Sequence, residues 1–333
     1  MMHRREFLRR VSGAGVGALV GTGHRRAAAE PPPETTKLRL LKTTNMCWAP
    51  QFVADELLRA EGFTEVSYVE IPLGAPVSTF LSREHAALSM NFVCPNLVRI
   101  DQGDPAVFLA GVHVGCFEVF GSERVRKISD LKGKTVPVTT LNGSDHIFLA
   151  SMVTYVGLDP RKDVKWTVAE PDEGLKLFVD GKADAYIGFP PRPQELRARK
   201  IGRVIVNSAA DRPWSQYFCC LLTGNREFVQ KHPIATKRAV RAILKATDLC
   251  AMEPERVGRL LVDKHYAPRY DYVVQVMKEL PYGRWRDYDP EDTIRFYALR
   301  LHEAGMIKMS PQKLIAQASD WRFLTELRKE LKG

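Results

Sequence analysis

The 333-residue sequence has no CxxC, no CxxCH and no Cys/His pairing at zinc-finger spacing, so disulfide-exchange, haem and structural-zinc classes lack their signatures. Its six cysteines, Cys47, Cys94, Cys116, Cys219, Cys220 and Cys250, follow no framework spacing, and buried free thiols are expected. Adjacent Cys219 and Cys220 should point to opposite faces of a strand. After the first thirty residues no apolar run approaches the roughly eighteen residues of a membrane-spanning helix. No basic run is interleaved with aromatics, which argues against nucleic acid as a partner. Neither GxSxG nor GxxxxGK[ST] occurs. Gly13-Ala14-Gly15-Val16-Gly17-Ala18 formally fits a dinucleotide fingerprint, but no strand precedes it. Ser144, Asp145 and His146 name a hydrolase triad, yet neighbours on a helix point about 100° apart and do not converge. The sequence therefore implies no catalytic set, no metal site and no cofactor.

What is present begins with an export signal. Met1 to Arg10 is a basic head in which Arg4-Arg5 precede Phe7-Leu8, similar to a twin-arginine signal. A weakly apolar stretch, Val11 to Thr22, and the small residues Ala27-Ala28-Ala29 follow in order. Residues 1–29 are expected to be a signal peptide cleaved after Ala29, which places the mature chain in the periplasm. That segment holds six arginines against one glutamate, so its loss takes +5 from the formal net charge of +10 and leaves +5. The remaining length of about 300 residues can bury a sizeable core and suggests two lobes.

From Lys37 short apolar runs alternate with helical segments, the pattern of an α/β fold with a mostly parallel sheet. Strands are expected at residues 38–41, 66–71, 86–92 and 106–112, with one helix from Pro50 to Gly62 and a short one over 95–102. The plan then restarts, with strands at 135–138, 164–169, 183–189 and 204–207 and helices at 144–156 and 172–180. Gln216 to Leu222 reads as a strand returning to the first lobe, and helices follow to the end, buttressing that lobe. The expected domains are residues 37–113 as the first part of lobe 1, 117–213 as lobe 2, and 214–333 as the return crossover with the C-terminal helices. Pro137 lies inside an expected strand, where it removes a ladder donor and weakens local pairing.

Asp130-Leu131-Lys132-Gly133-Lys134, Gly143-Ser144, Gly157-Leu158-Asp159-Pro160, Asp163-Val164 and Phe178-Val179-Asp180-Gly181-Lys182-Ala183-Asp184-Ala185 occur in order and at fitting intervals. In these landmarks the sequence resembles the nitrate, sulfonate, taurine and thiamine-pyrimidine substrate-binding proteins of ABC transporters, which are type II periplasmic binding proteins. The likeness extends more loosely from Leu38 to about Leu244. It implies a two-lobed periplasmic-binding-protein fold with hinge-crossing strands and a ligand cleft between the lobes. It also implies capture of a small anionic or aromatic solute, delivery to a permease and ATPase in the inner membrane, no enzyme activity, and a monomer. The same superfamily contains fungal thiamine-pyrimidine synthases with a cysteine-rich iron motif, which Tyr217-Phe218-Cys219-Cys220 faintly echoes; a ligand-sensing subunit of a signalling receptor is a further alternative.

Ligands of open α/β sheets sit beyond the carboxyl ends of strands. That rule selects Asn45 and Trp48 after the first strand, Asn91 and Phe92 after the third, and His113 after the fourth. In the second lobe it selects Asn142, Gly143 and Ser144 at a helix N-terminus suited to an anion, then Glu170, Phe189 and Tyr217. Asn142 and Ser144 also suit helix capping, Trp48 equally suits core filling, and a lone histidine such as His113 is more often a structural residue.

Overall fold

The computed structural model describes residues 30–71, 77–82 and 86–332; the expected signal peptide lies outside them. Strand β1, Lys37–Lys42, pairs in parallel along its whole length with β2, Glu65–Glu70, and meets β3, Leu88–Phe92, at a single position, Leu40 opposite Leu88. Strand β4, Ala106–Val114, ends the first run. A later strand completes a five-stranded sheet of order β2-β1-β3-β10-β4, in which β10, Phe218–Asn225, runs antiparallel to both neighbours. β3 and β4 are buried end to end; β3 is an inner strand, whereas β4 stands at the edge of the sheet and is covered by C-terminal helices.

The thin contact between β1 and β3 is reinforced by Gln51. Its buried side chain donates from Nε2 to the Leu41 carbonyl at 2.6 Å and accepts from the Met90 amide at 2.7 Å. The side chain thus bridges the carboxyl ends of two strands and fixes the loops that leave them. The helix expected over 50–62 is broken into Ala49–Phe52 and Asp55–Ala60. Phe52, just before the break, and Val53 and Ala54 within it are all buried.

After Val114 the chain leaves this sheet for a second set of strands. β5, Glu118–Gly121, lies between β8, Ala185–Gly188, and β9, Arg203–Asn207, antiparallel to each. β6, Thr135–Val138, pairs only with β7, Lys165–Val168, in parallel. β6 and β8 run side by side without a ladder, and Pro137 sits at the centre of β6. A proline there has no N–H for a second neighbour. The local consequence expected of Pro137 is therefore a split, a three-stranded and a two-stranded sheet where one of five would fit. The five-stranded sheet is mixed, the three-stranded one antiparallel and the two-stranded one parallel, where a mostly parallel sheet was expected.

Helix α1, Val93–Asp101, follows β3 directly, and α2, Ser144–Tyr155, follows the β6 loop. α3, Arg192–Ala198, lies after β8. The C-terminal part is helical, with α4 at Pro233–Met252, α5 at Tyr270–Glu279 and α6 at Pro290–Glu303. α4 packs on the Ala49–Phe52 and Asp55–Ala60 helices and on β4, as a buttress of the first sheet. The expected role is nevertheless too narrow, because α5 also touches α3, and α6 touches α2 through Phe148 and Tyr297, whose rings lie 6.2 Å apart. The C-terminal helices join both strand systems. No helix among the described residues is long and apolar enough to cross a membrane.

Candidate functional site

A narrow cleft lies where the carboxyl ends of β1 and β3 face α2 and the end of β8. Six of the residues selected from sequence line it: Asn45, Trp48, Asn91, Phe92, Ser144 and Phe189. Trp48 is held in a 3-10 turn, Met46–Trp48, immediately after β1. Phe92 packs edge-on against Phe117, which meets Phe189 in the same manner at 6.0 Å. Trp48, Phe92, Phe117 and Phe189 therefore give the cleft aromatic walls. Asn91 is committed to the protein, accepting from Asn96 Nδ2 and Thr223 Oγ1. Asn45 Oδ1 is buried with no partner among the described residues. It is an acceptor awaiting a donor.

The second-lobe side differs from expectation in its chemistry. Gly143, not Ser144 or Asn142, is the N-cap of α2, and no side chain caps there. Gly143 has an ordinary negative φ of −77°; a Cβ would meet Thr140 Cγ2 at 2.7 Å, so its small size serves the turn and not a ligand. Asn142 carries the strained backbone, with φ +65°, and is exposed outside the cleft. Its amide donates to His146 Nδ1 at 3.1 Å, and burial lowers the His146 pKa to about 4, keeping that ring a neutral acceptor.

Asp145, missed by sequence reasoning, dominates this side. Its Oδ2 accepts from the Thr139 amide at 2.6 Å and from Thr139 Oγ1 at 2.5 Å, and its Oδ1 accepts from the His146 amide at 2.8 Å. Burial pushes its carboxyl up, and these hydrogen bonds pull against that. A carboxylate at the second position of a helix complements the positive end of the dipole. Asp145 thus occupies the place an anionic ligand was expected to take. None of the described lining residues is Lys or Arg.

The other residues selected from sequence are not among those that line the cleft. His113 is fully buried in β4, with Nδ1 3.0 Å from the Gly115 carbonyl. Glu170 is exposed at the N-cap of the helix Pro171–Val179. Tyr217 stacks on Phe296 with ring centroids 3.9 Å apart, drawn to α6.

All six cysteines are free and buried, as expected. Four of them converge. Cys47, Cys116 and Cys220 line the floor of the cleft, and Cys116 Sγ lies 2.7 Å from Cys219 Sγ. Strand alternation would send Cys219 and Cys220 to opposite faces, but the β10–β4 register shifts on both sides of Cys220. Such a bulge reorients the side chains around it. The sulfurs of Cys116, Cys219 and Cys220 consequently lie within 4.8 Å of one another. Burial raises the thiol pKa of Cys116 and Cys219. Burial would raise Cys220 too, but hydrogen bonds from the thiols of Cys116, Cys219 and Cys47 bring it well below the ordinary range.

A charged cluster ties β5 and α3 to α5. Arg197 on α3 contacts Glu118 of β5 at 3.0 Å and Glu279 of α5 at 2.5 Å. Burial raises the Glu118 pKa to about 7, against the pull of Arg197. A carboxyl raised from its ordinary value of 4.5 gives stability that is complete below that value and is lost as pH rises through about 7. Between pH 6 and 8 the loss is about 1.4 kcal/mol. Thermal melts should show a decline over that interval in the natural protein and a flatter profile in Glu118→Gln; identical profiles would show that Glu118 is ionised throughout.

Residues 96–259 match the NMT1-like family. No curated protein matches the sequence. Among solved structures, the periplasmic nitrate-binding protein NrtA of Synechocystis PCC 6803 superposes with a TM-score of 0.76 at 15% identity, covering 91% of this chain and 90% of that one. The alkanesulfonate-binding protein SsuA of Xanthomonas axonopodis pv. citri, bound to MOPS, gives 0.65 at 17% identity over 88% of this chain and 100% of that one. The aliphatic sulphonate binding protein SsuA of Escherichia coli gives 0.65 at 17% identity, over 84% and 91%. The chain has the two-lobed fold of the periplasmic binding proteins, and its structural neighbours include nitrate- and sulfonate-binding members.

Proposed function

We propose that this protein is the exported, periplasmic solute-binding component of an ABC importer, and that it captures a planar aromatic solute of pyrimidine type. The observation that carries the solute class is a cleft walled by Trp48, Phe92, Phe117 and Phe189 with no Lys or Arg among its described lining residues. Aromatic faces favour a flat ring. The unpartnered Asn45 Oδ1 favours a ligand that donates an N–H. A nitrate or sulfonate would instead meet the Asp145 carboxylate at the helix end. Residues 37–113 with 214–333 form one body in this reading and 117–213 the other, hinged about the crossing segments.

Binding is stoichiometric and the solute is released unchanged, for delivery to a membrane permease and ATPase. Calorimetry with an aminopyrimidine, an alkanesulfonate and nitrate tests the solute class, and mass spectrometry of the released ligand tests for chemistry. The aminopyrimidine should bind in preference, and Phe189→Ala should weaken it about tenfold, the equivalent of one aromatic contact. Preference for the sulfonate or nitrate would reverse the assignment, and recovery of a product would make the protein an enzyme.

A further inference from the structure

The sulfurs of Cys47 and Cys220 and one ring nitrogen of His113 lie within 4.8 Å of one another, on three separate stretches of chain. All three side chains are buried. We propose that Cys47, His113 and Cys220 bind one thiophilic metal ion of the zinc class at the floor of the cleft, with its fourth coordination position turned toward the cleft. The site stands independently of the solute assignment.

Geometry comes first. Zinc–sulfur bonds near 2.3 Å put the sulfurs of a tetrahedral site roughly 3.8 Å apart, a separation that fits within the observed span. Cys116 and Cys219 make a poorer pair, because their sulfurs are 2.7 Å apart, too close for two ligands of one tetrahedral ion. They can pair with each other and leave the Cys47, His113 and Cys220 set intact.

Orientation comes next. Nδ1 of His113 faces the Gly115 carbonyl, which as an acceptor fixes the proton on Nδ1 in the neutral ring. Nε2, buried with no hydrogen-bond partner among the described residues, then carries the lone pair. A ligating histidine is characteristically held through its other ring nitrogen by a backbone carbonyl in this way. Tyr282 Oη donates to the Cys47 carbonyl at 3.0 Å and supports the second ligand. The bulge at Cys220 turns in the third.

Charge and access decide the kind of ion. Two thiolates and a neutral imidazole carry −2, which a divalent ion cancels and a monovalent one does not. A buried net charge is costly, and no Lys or Arg among the described lining residues offsets one. Sulfur and imidazole donors select thiophilic closed-shell ions over magnesium or calcium. Cys47 and Cys220 line the cleft, so an ion enters from that side without unfolding the sheet. On binding, the ion replaces the protons of the two thiols, and these pass to solvent.

The test uses the full chain, freed of metal and kept reduced. Zn(II) is titrated against a chromophoric chelator, and Co(II) is added in parallel as a spectroscopic probe. One equivalent of Zn(II) should bind, and Co(II) should give intense tetrahedral bands with thiolate charge transfer in the natural protein, a readout that needs no variant to fold. Cys47→Ser, Cys220→Ser and His113→Gln should each weaken Zn(II) by more than the 10- to 100-fold typical of outer-shell changes. Cys94→Ser and Cys250→Ser should bind as the natural protein does. Weak octahedral Co(II) bands, or Zn(II) binding no tighter than in the Cys220→Ser protein, would overturn the site. So would loss of binding in Cys116→Ser and Cys219→Ser with Cys47→Ser and His113→Gln unaffected, which would move the ion to the other sulfurs. Cu(I) held more tightly than Zn(II), with no effect of His113→Gln, would replace it by a two-thiolate site and equally overturn it.

Discussion

Asp145→Ala is expected to destabilise the protein by about 1 to 3 kcal/mol, since removing a buried carboxylate from its donors forfeits their hydrogen bonds and leaves those donors unpaired. The donors are the Thr139 amide, the Thr139 hydroxyl and the His146 amide. A second readout is more specific. If the carboxylate occupies the positive end of α2, its removal opens a place for a mobile anion. Added nitrate or an alkanesulfonate should then raise the melting temperature of Asp145→Ala while leaving the natural protein nearly unchanged. Equal anion effects on both proteins would mean that Asp145 does not fill the anion position.

Gly115→Ala should cost about 2 to 5 kcal/mol, from a left-handed backbone penalty of about 1 to 2 and an overpacking penalty of about 1 to 3. Gly115 has φ +60°, and a Cβ there would come within 2.2 Å of the Ala209 Cα. Backbone stands opposite, so no side chain can swing away. The neighbourhood is also knitted, because Ser208 Oγ accepts from the amides of Cys116 and Phe117 and donates to the Phe117 carbonyl. Gly157→Ala is the control, since it has φ +82° but nothing within 4 Å of its Cβ. It should lose only the backbone part. Denaturant melts of both variants separate the contributions, and equal losses would show that the Gly115–Ala209 approach relaxes freely.

Periodicity made much of the fold legible. The strand expected at 135–138 is β6 itself, and the helix expected at 144–156 is α2 within one residue. Local apolar pattern and punctuation are enough where an element is decided by its own residues. The strand-end rule selected Asn45, Trp48, Asn91, Phe92, Ser144 and Phe189, all of which line one cleft, because the parallel strands β1 and β3 end there although the sheet as a whole is mixed. It did not place Glu170 or Tyr217 there, since an exposed N-cap and a ring stacked on Phe296 are set by their neighbours rather than by strand position.

The cysteine cluster was illegible for a different reason. Cys47, Cys116 and Cys220 come from stretches far apart in the chain, and a bulge reversed the alternation on which the expectation for Cys219 and Cys220 rested. Asp145 was hidden by its place in a helix, where it counts locally as one more first-turn acid. Only the return of the Thr139 loop onto its carboxylate makes it part of the cleft.

The absence of Lys and Arg from the described lining of the cleft also bears on kinetics. Electrostatic focusing by a charged cleft can raise association rates by one to three orders of magnitude at low ionic strength. An uncharged ring of the proposed class would draw little on that assistance. Its encounter rate would then be set by diffusion and by how often the mouth stands open, much the same in dilute and in salty surroundings. Discrimination among solutes would fall to the residence time, the interval over which the aromatic walls hold one ring longer than another.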